Sequence, residues 1–249
     1  MNEIAKSGRR SARETEWQLG RALVICDADD TLWFTEELYD SARDHCRKIV
    51  EGEGFDGEAW ETLERTIDIR NVSRFGLRSI RFPMSCVDAY QILAGKSVRS
   101  AVSSAVRAAA EEVFLRVAPS APGVPEVLEK LSQEFRLVLL TQGEAWVQER
   151  RLHEAGLDGA FSQVVIVPEK TTVVFKSIVR DDGRPVGQAW SVGNSLASDI
   201  NPALRIGMNA IWIPAHVWEH EKREAILESD ALHKASSLSA AKDILLAGN

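Results

Sequence analysis

The chain is 249 residues long and carries a formal net charge of −7, room for one large domain or a domain with an insertion. Its 45% hydrophobic and 27% charged content is that of a soluble globular protein, not of a disordered or fibrous one. The acidic balance and the lack of a long basic run argue against nucleic acid or a membrane as partner, and no apolar stretch approaches the ~20 residues that span a bilayer.

Residues 1–20 read as a polar N-terminal extension with no apolar signal core. Ser11 and Glu14 have the spacing of a capping box, so a short helix is expected there. The cysteines, Cys26, Cys46 and Cys86, stand far apart and form neither a CxxC pair nor a disulfide framework. That usage fits a reducing cytoplasm. Cys26 lies inside the first predicted strand and reads as a small buried hydrophobe.

That strand is Ala22-Leu23-Val24-Ile25-Cys26, a continuous apolar run of the kind buried on both faces of a parallel sheet. It ends in Asp27-Ala28-Asp29-Asp30-Thr31. Carboxylates are costly to desolvate without a partner, and ligands bind at the C-terminal strand ends of open α/β sheets. One reading is a metal-assisted site in which one carboxylate attacks and another moves a proton. The other is an acidic turn leading into a helix.

From Phe34 to about Arg116 the pattern is helical. Leu38, Ala42, Cys46 and Val50 recur at four-residue spacing, followed by Trp60, Leu63 and Ile67, then Val87, Tyr90 and Leu93, then Val102, Val106, Ala110 and Val113. Gly52, Gly54, Gly95 and Gly123 punctuate these segments. Residues 34–117 therefore form an inserted helical domain.

Strand and helix then alternate. Strands are predicted at Phe135–Leu140 ending at Thr141, Val164–Val167 ending before Pro168, Ala189–Val192 ending at Gly193, and Ala210–Ile213 ending at Pro214. Leu238–Leu246 reads as a closing helix. Alternation of this kind implies a parallel sheet with right-handed crossovers. Residues 21–33 and 118–249 thus make one Rossmann-like α/β core. Its strand ends would bring together Asp27 and Asp29, then Thr141-Gln142-Gly143, then Lys170, then Gly193-Asn194-Ser195 with Asp199.

This ordered set resembles the haloacid dehalogenase superfamily, in particular its Mg²⁺-dependent phosphatases. Asp27-Ala28-Asp29-Asp30-Thr31 matches the first motif, Thr141 the second, Lys170 the third, and Gly193-Asn194-x4-Asp199 the fourth. The likeness runs from about Arg21 to the C-terminus, and the helical insertion matches the cap of many members.

The resemblance implies that Asp27 attacks phosphorus to form an aspartyl-phosphate. Asp29 would protonate the leaving alkoxide and then activate water. Mg²⁺ would be held by Asp27, Asp199, Asn194 and the Asp29 carbonyl. Thr141, Gln142, Gly143 and Lys170 would hold phosphate oxygens, with Lys170 also offsetting the charge around Asp27. The expected partner is a small phosphorylated metabolite. Asn194 stands where many relatives carry an acid, so one negative charge is lost and weaker metal binding is expected.

Other signals compete. Lys176 is the rival for the third motif, a turn and a half beyond Lys170. His216-Val217-Trp218-Glu219-His220 fits the H-x-x-E-H zinc-peptidase pattern, but no glutamate follows Glu228 to complete a ligand set. A structural helix start after Pro214 is the alternative. Arg70, Arg74, Arg78 and Arg81 would form one basic stripe on a helix, either a clamp for a carboxylate or second phosphate or a solvated face. Trp33 and Phe34 would line the entrance or pack the hinge of the insertion. A 2-haloacid dehalogenase, a phosphomutase and a catalytically weak phosphate-binding module are the other functions compatible with the set.

Overall fold

The computed structural model describes residues 21–248 except 216, 217, 219, 221 and 223. The capping pair Ser11 and Glu14, and three residues of the H-x-x-E-H segment, lie outside the described residues.

Six strands form one parallel sheet: β1 (Ala22–Cys26), β2 (Phe135–Gln142), β3 (Gln163–Val167), β4 (Ala189–Gly193), β5 (Asn209–Trp212) and β6 (Leu232–Lys234). Their order is β3-β2-β1-β4-β5-β6, and every adjacent pair runs parallel. The chain winds outward from β1 to β3, then returns to β4 and winds the other way. The switch point, where ligand crevices form, lies between β1 and β4.

β1 is apolar throughout because both of its faces are covered. Val24 and Cys26 pack in a core with Leu128, Leu131, Ala241 and Leu245, while Leu23 and Ile25 pack on the other face with Phe175, Ile178 and Val179. Each such buried aliphatic side chain contributes roughly 1.5–3 kcal/mol. β2 runs on through Thr141 and Gln142, which pair with Ile166 and Val167, so both residues are fixed by the sheet itself. β6 has no counterpart among the predicted strands. Its Leu232-His233-Lys234 is a short edge segment with one apolar residue, too little to give a periodic signal.

Four helices lie between β1 and the next core helix: α1 (Glu36–Gly52), α2 (Gly57–Phe75), α3 (Arg81–Ala94) and α4 (Ser100–Leu115). Leu38, Ala42, Cys46 and Val50 of α1 are all buried in the same core as Val102, Val106, Ala110 and Val113 of α4, so the four-residue spacing marks the packed faces. Asp56 caps α2, its Oδ1 accepting from Glu58 N at 2.9 Å and Ala59 N at 3.1 Å, a contact worth ~1 kcal/mol. The core helices are α5 (Val124–Glu134), α6 (Ala145–Glu154), α7 (Thr172–Asp182), α8 (Asn201–Leu204) and α9 (Leu238–Ala247). The architecture is a Rossmann-like α/β core with a helical cap.

The arginine stripe does not exist as one helical face. α2 ends at Gly76, whose φ of 63° lies in the left-handed region. Arg70 and Arg74 remain on α2, Arg78 falls in the loop and Arg81 opens α3. Arg81 is buried and pairs with Asp68, while Arg74 stacks 4.6 Å from the Phe75 ring.

The cap also buries Arg43 against Glu64, with Nε 3.1 Å from Oε2. Burial pushes the Glu64 carboxyl up to about 7 against the pull of Arg43. The folded chain therefore holds a proton on Glu64 that the unfolded chain releases near its ordinary value of 4.5. Where the folded state binds more protons, stability falls as pH rises. Urea denaturation is expected to show this group's stabilisation eroding between pH 4.5 and about 7. Glu64→Gln should flatten the slope across that interval, and a variant slope equal to the parent's would contradict the assignment.

Candidate active site

A cavity opens where β1, β2 and β4 end, with helices of the cap forming its far wall. Asp27, Asp29, Thr141, Gln142, Gly143, Lys170, Asn194 and Asp199 all line it, although they come from four separate stretches of sequence.

Asp27 extends β1 by one hydrogen bond, its N donating to Val192 O at 2.9 Å. Its Oδ2 accepts from Thr31 Oγ1 at 3.0 Å and its Oδ1 from Lys170 Nζ. The same ammonium donates to Asp199 Oδ1 at 2.7 Å. Asp27, Lys170 and Asp199 are all buried. Burial pushes the Asp27 carboxyl up to about 8, Asp199 adds to the rise, and Lys170 opposes it. For Lys170, burial would favour the neutral amine, but Asp199 and Asp27 outweigh it and hold the group above its ordinary value.

Lys170 sits in the loop after β3, with Thr171 capping α7 behind it, and is not itself at a helix start. Lys176 is exposed on α7 and takes no part in the site. Asp199 returns to the sheet on a single wide turn, Leu196–Ile200, capped by the Ser195 side chain. Its Oδ2 accepts from Ser195 N at 2.9 Å, and Ser191 Oγ donates to its carbonyl at 2.8 Å. Gly193 permits this approach. A Cβ there would lie 2.7 Å from the Asp199 Cβ.

Asp29 has different neighbours. Its Oδ1 accepts from Trp33 Nε1 at 2.6 Å and Arg151 Nη1 at 3.0 Å, and its Oδ2 accepts from Gln148 Nε2 at 3.0 Å. Trp33 is buried packing that also anchors this carboxylate. Gln148 and Arg151 escaped the reading of the sequence. Their signal is two polar residues, three apart, on the buried side of α6 with Val147 and Leu152.

Asp30 is turned to another task. At φ 58° it is the one described non-glycine residue in the left-handed region, a conformation aspartate tolerates. Its carboxylate accepts from Thr35 N at 2.9 Å, Thr35 Oγ1 at 2.7 Å and Glu36 N at 3.3 Å, and so caps α1.

The cap contributes Tyr39, Arg43, Asp68, Arg81 and Phe114 to the same cavity. It touches the core at Glu144, next to Gly143. Arg78 Nε donates to Glu144 Oε1 at 3.1 Å, while Ser79 donates to Oε2 through its N at 3.3 Å and through its hydroxyl. These hydrogen bonds, led by that of the Ser79 hydroxyl, hold the Glu144 carboxyl below its ordinary value.

The side chains beside Asp27 in the cavity that could ligate a cation offer oxygen: the Asp199 carboxylate and the Asn194 amide. One ammonium does not neutralise two carboxylates, and an oxygen-only set is the kind that hard divalent cations prefer. Among the described residues, no three His, Cys, Asp or Glu side chains converge as a metal-binding group. Asp27, Asp199 and the Asn194 amide have the chemistry that a hard cation takes, short of a full set of side-chain ligands.

No family model and no curated protein matches the chain. Solved structures do. A haloacid dehalogenase-like family hydrolase from Xanthomonas campestris superposes with a TM-score of 0.77 at 22% identity, covering 92% of this chain and 96% of that one. A putative hydrolase of the same class from Bacillus subtilis, bound to magnesium, gives 0.61 at 16% identity over 90% and 98%. A 2-haloacid dehalogenase from Pseudomonas syringae gives 0.60 at 21% identity over 92% and 100%. Further matches are described as dehalogenases and as a predicted phosphoglycolate phosphatase. The likeness is one of fold, and the chain has the haloacid dehalogenase-like fold.

Gly193→Ala should push Asp199 away from the strand end and cost about 1–3 kcal/mol, the usual range for overpacking. Gly187→Ala, where an added methyl meets nothing within 4 Å, is the comparison. Equal midpoints for the two variants in chemical denaturation would show that the close approach is not needed.

Proposed function

We propose that the chain is a Mg²⁺-dependent phosphatase of small phosphorylated metabolites that works through an aspartyl-phosphate on Asp27. The observation that supports it best is the single ammonium of Lys170 donating to both Asp27 and Asp199, in a cavity also lined by Asp29 and Thr141.

In this reading Asp27 attacks phosphorus, and the bond to the leaving oxygen breaks as the Asp27 bond forms. Asp29 gives its proton to that oxygen, then accepts one from the water that hydrolyses the acyl phosphate. Thr141, the Gln142 and Gly143 amides and Lys170 hold the phosphoryl oxygens, work that is mainly positioning and charge compensation. Mg²⁺, held by Asp27, Asp199, Asn194 and the Asp29 carbonyl, would supply further neutralisation of the phosphoryl group. The cap excludes water from the reaction.

The second reading is a dehalogenase, favoured by the likeness in fold to solved dehalogenases. A departing halide needs no proton, whereas three side chains fix the Asp29 carboxylate at the cavity. That arrangement favours the phosphatase. The three cysteines are free and buried, in keeping with a cytoplasmic setting. No helix among the described residues is long and apolar enough to cross a membrane.

A panel of phosphomonoesters with and without Mg²⁺ tests the proposal. The parent should hydrolyse several, and a chelator should abolish turnover. Asp27→Asn should be inactive, and Asp29→Asn slower by ~10²–10⁴-fold on alkyl phosphates. Metal-independent halide release from a 2-haloacid, with no phosphate release, would replace this reading by the dehalogenase.

A further inference from the structure

Three aspartates follow β1 within four residues, yet each is gripped by a different part of the molecule. Asp27 is held by Lys170 and Thr31, and Asp30 by the start of α1. Asp29 is held by α6, through Arg151 and Gln148, and by Trp33. Arg151 and Gln148 are each more than nine-tenths buried and line the cavity. Arg151 Nη1 reaches both Asp29 oxygens, at 3.0 and 3.3 Å. Gln148 Nε2 donates to Asp29 Oδ2 and also to Gln142 O at 3.1 Å, so one amide ties this carboxylate to the strand end proposed to hold phosphate.

A buried guanidinium is a demanding way to hold a carboxylate. Its desolvation is repaid only by close charge-assisted contacts. Asp29 acts on Asp27 as a like charge, so an unheld carboxylate here would be pushed away from the site. Its four donor contacts fix it on the α6 side of the cavity instead.

We infer that Arg151 and Gln148 are positioning residues that aim the Asp29 carboxylate at the leaving oxygen and hold it there against the like charge of Asp27. The inference rests on the phosphatase reading. Neither residue gains or loses a proton in the step. Asp29 passes its proton to the oxygen of the breaking P–O bond, and Arg151 and Gln148 fix where that transfer starts.

The test compares an alkyl phosphate, whose alkoxide must be protonated as it leaves, with 4-nitrophenyl phosphate, whose phenolate need not be. Arg151→Met should lower kcat on the alkyl substrate by about 10²-fold or more, within the range of a lost general acid. It should lower kcat on the nitrophenyl ester by less than about tenfold, with little change in either KM. Gln148→Leu should show the same pattern in weaker form, and Arg151→Lys should recover part of the alkyl activity. The Gln148 variant keeps the test valid if Arg151→Met fails to fold. Equal losses on both substrates in the folded variants would overturn the positioning role while leaving the phosphatase intact. A parent inactive on both esters would overturn the phosphatase reading and this inference with it.

Discussion

The interaction on which the site depends is the Lys170 ammonium bound at once to Asp27 and Asp199, three ionisable groups buried at one sheet edge. Stranding one member of such a group costs ~3–5 kcal/mol, so none can be displaced alone. The arrangement demands three chain segments at fixed positions. β1 and β4 are adjacent, and the Asp27 amide bonds to Val192, so the first acid is fixed by sheet geometry. Gly193 has no side chain, so the turn after β4 can fold Asp199 back against the same edge. Lys170 N reaches Gln142 Oε1 at 3.4 Å, which ties the lysine loop to the end of β2.

Neighbouring acids of the turn are held by different partners. Asp27 is buried and shares its cation with another carboxylate, so its carboxyl is pushed up to about 8. A bound cation would oppose that rise. Asp29, two residues on, has a guanidinium and two neutral donors. The two carboxylates therefore sit in different environments, made mostly by partners from outside the acidic turn.

The sequence exposed those features that depend on local pattern. The run Ala22–Cys26 reads as a strand because both faces are covered, and the acids after it are conspicuous because charge is rare at a buried strand end. The one-sided helices of the cap were legible for the same reason, since Leu38 through Val50 repeat at the helical period and are buried together. Features that depend on distant partners were not. Arg151 meets Asp29 from 122 positions away, and Ser79 meets Glu144 from 65. The arginine series misled because its spacing is helical while Gly76, inside it, ends the helix. β6 is too short and too polar to carry a period.

The segment 141–151 joins functions that the sequence presents as separate. Thr141 and Gly143 close the end of β2 at the cavity. Glu144 receives the cap loop through Arg78 and Ser79. Gln148 and Arg151, one and two turns further along the same helix, hold Asp29. A rigid helix transmits displacement along its length, so the cap contact at Glu144, the end of β2 and the Asp29 carboxylate share one reference frame. The cap loop that meets Glu144 is therefore seated against the same helix that holds Asp29. The cap contact and the placement of Asp29 thus belong to one packing arrangement, in which the Gln148 amide joins Asp29 to the end of β2 by touching Asp29 and Gln142 together.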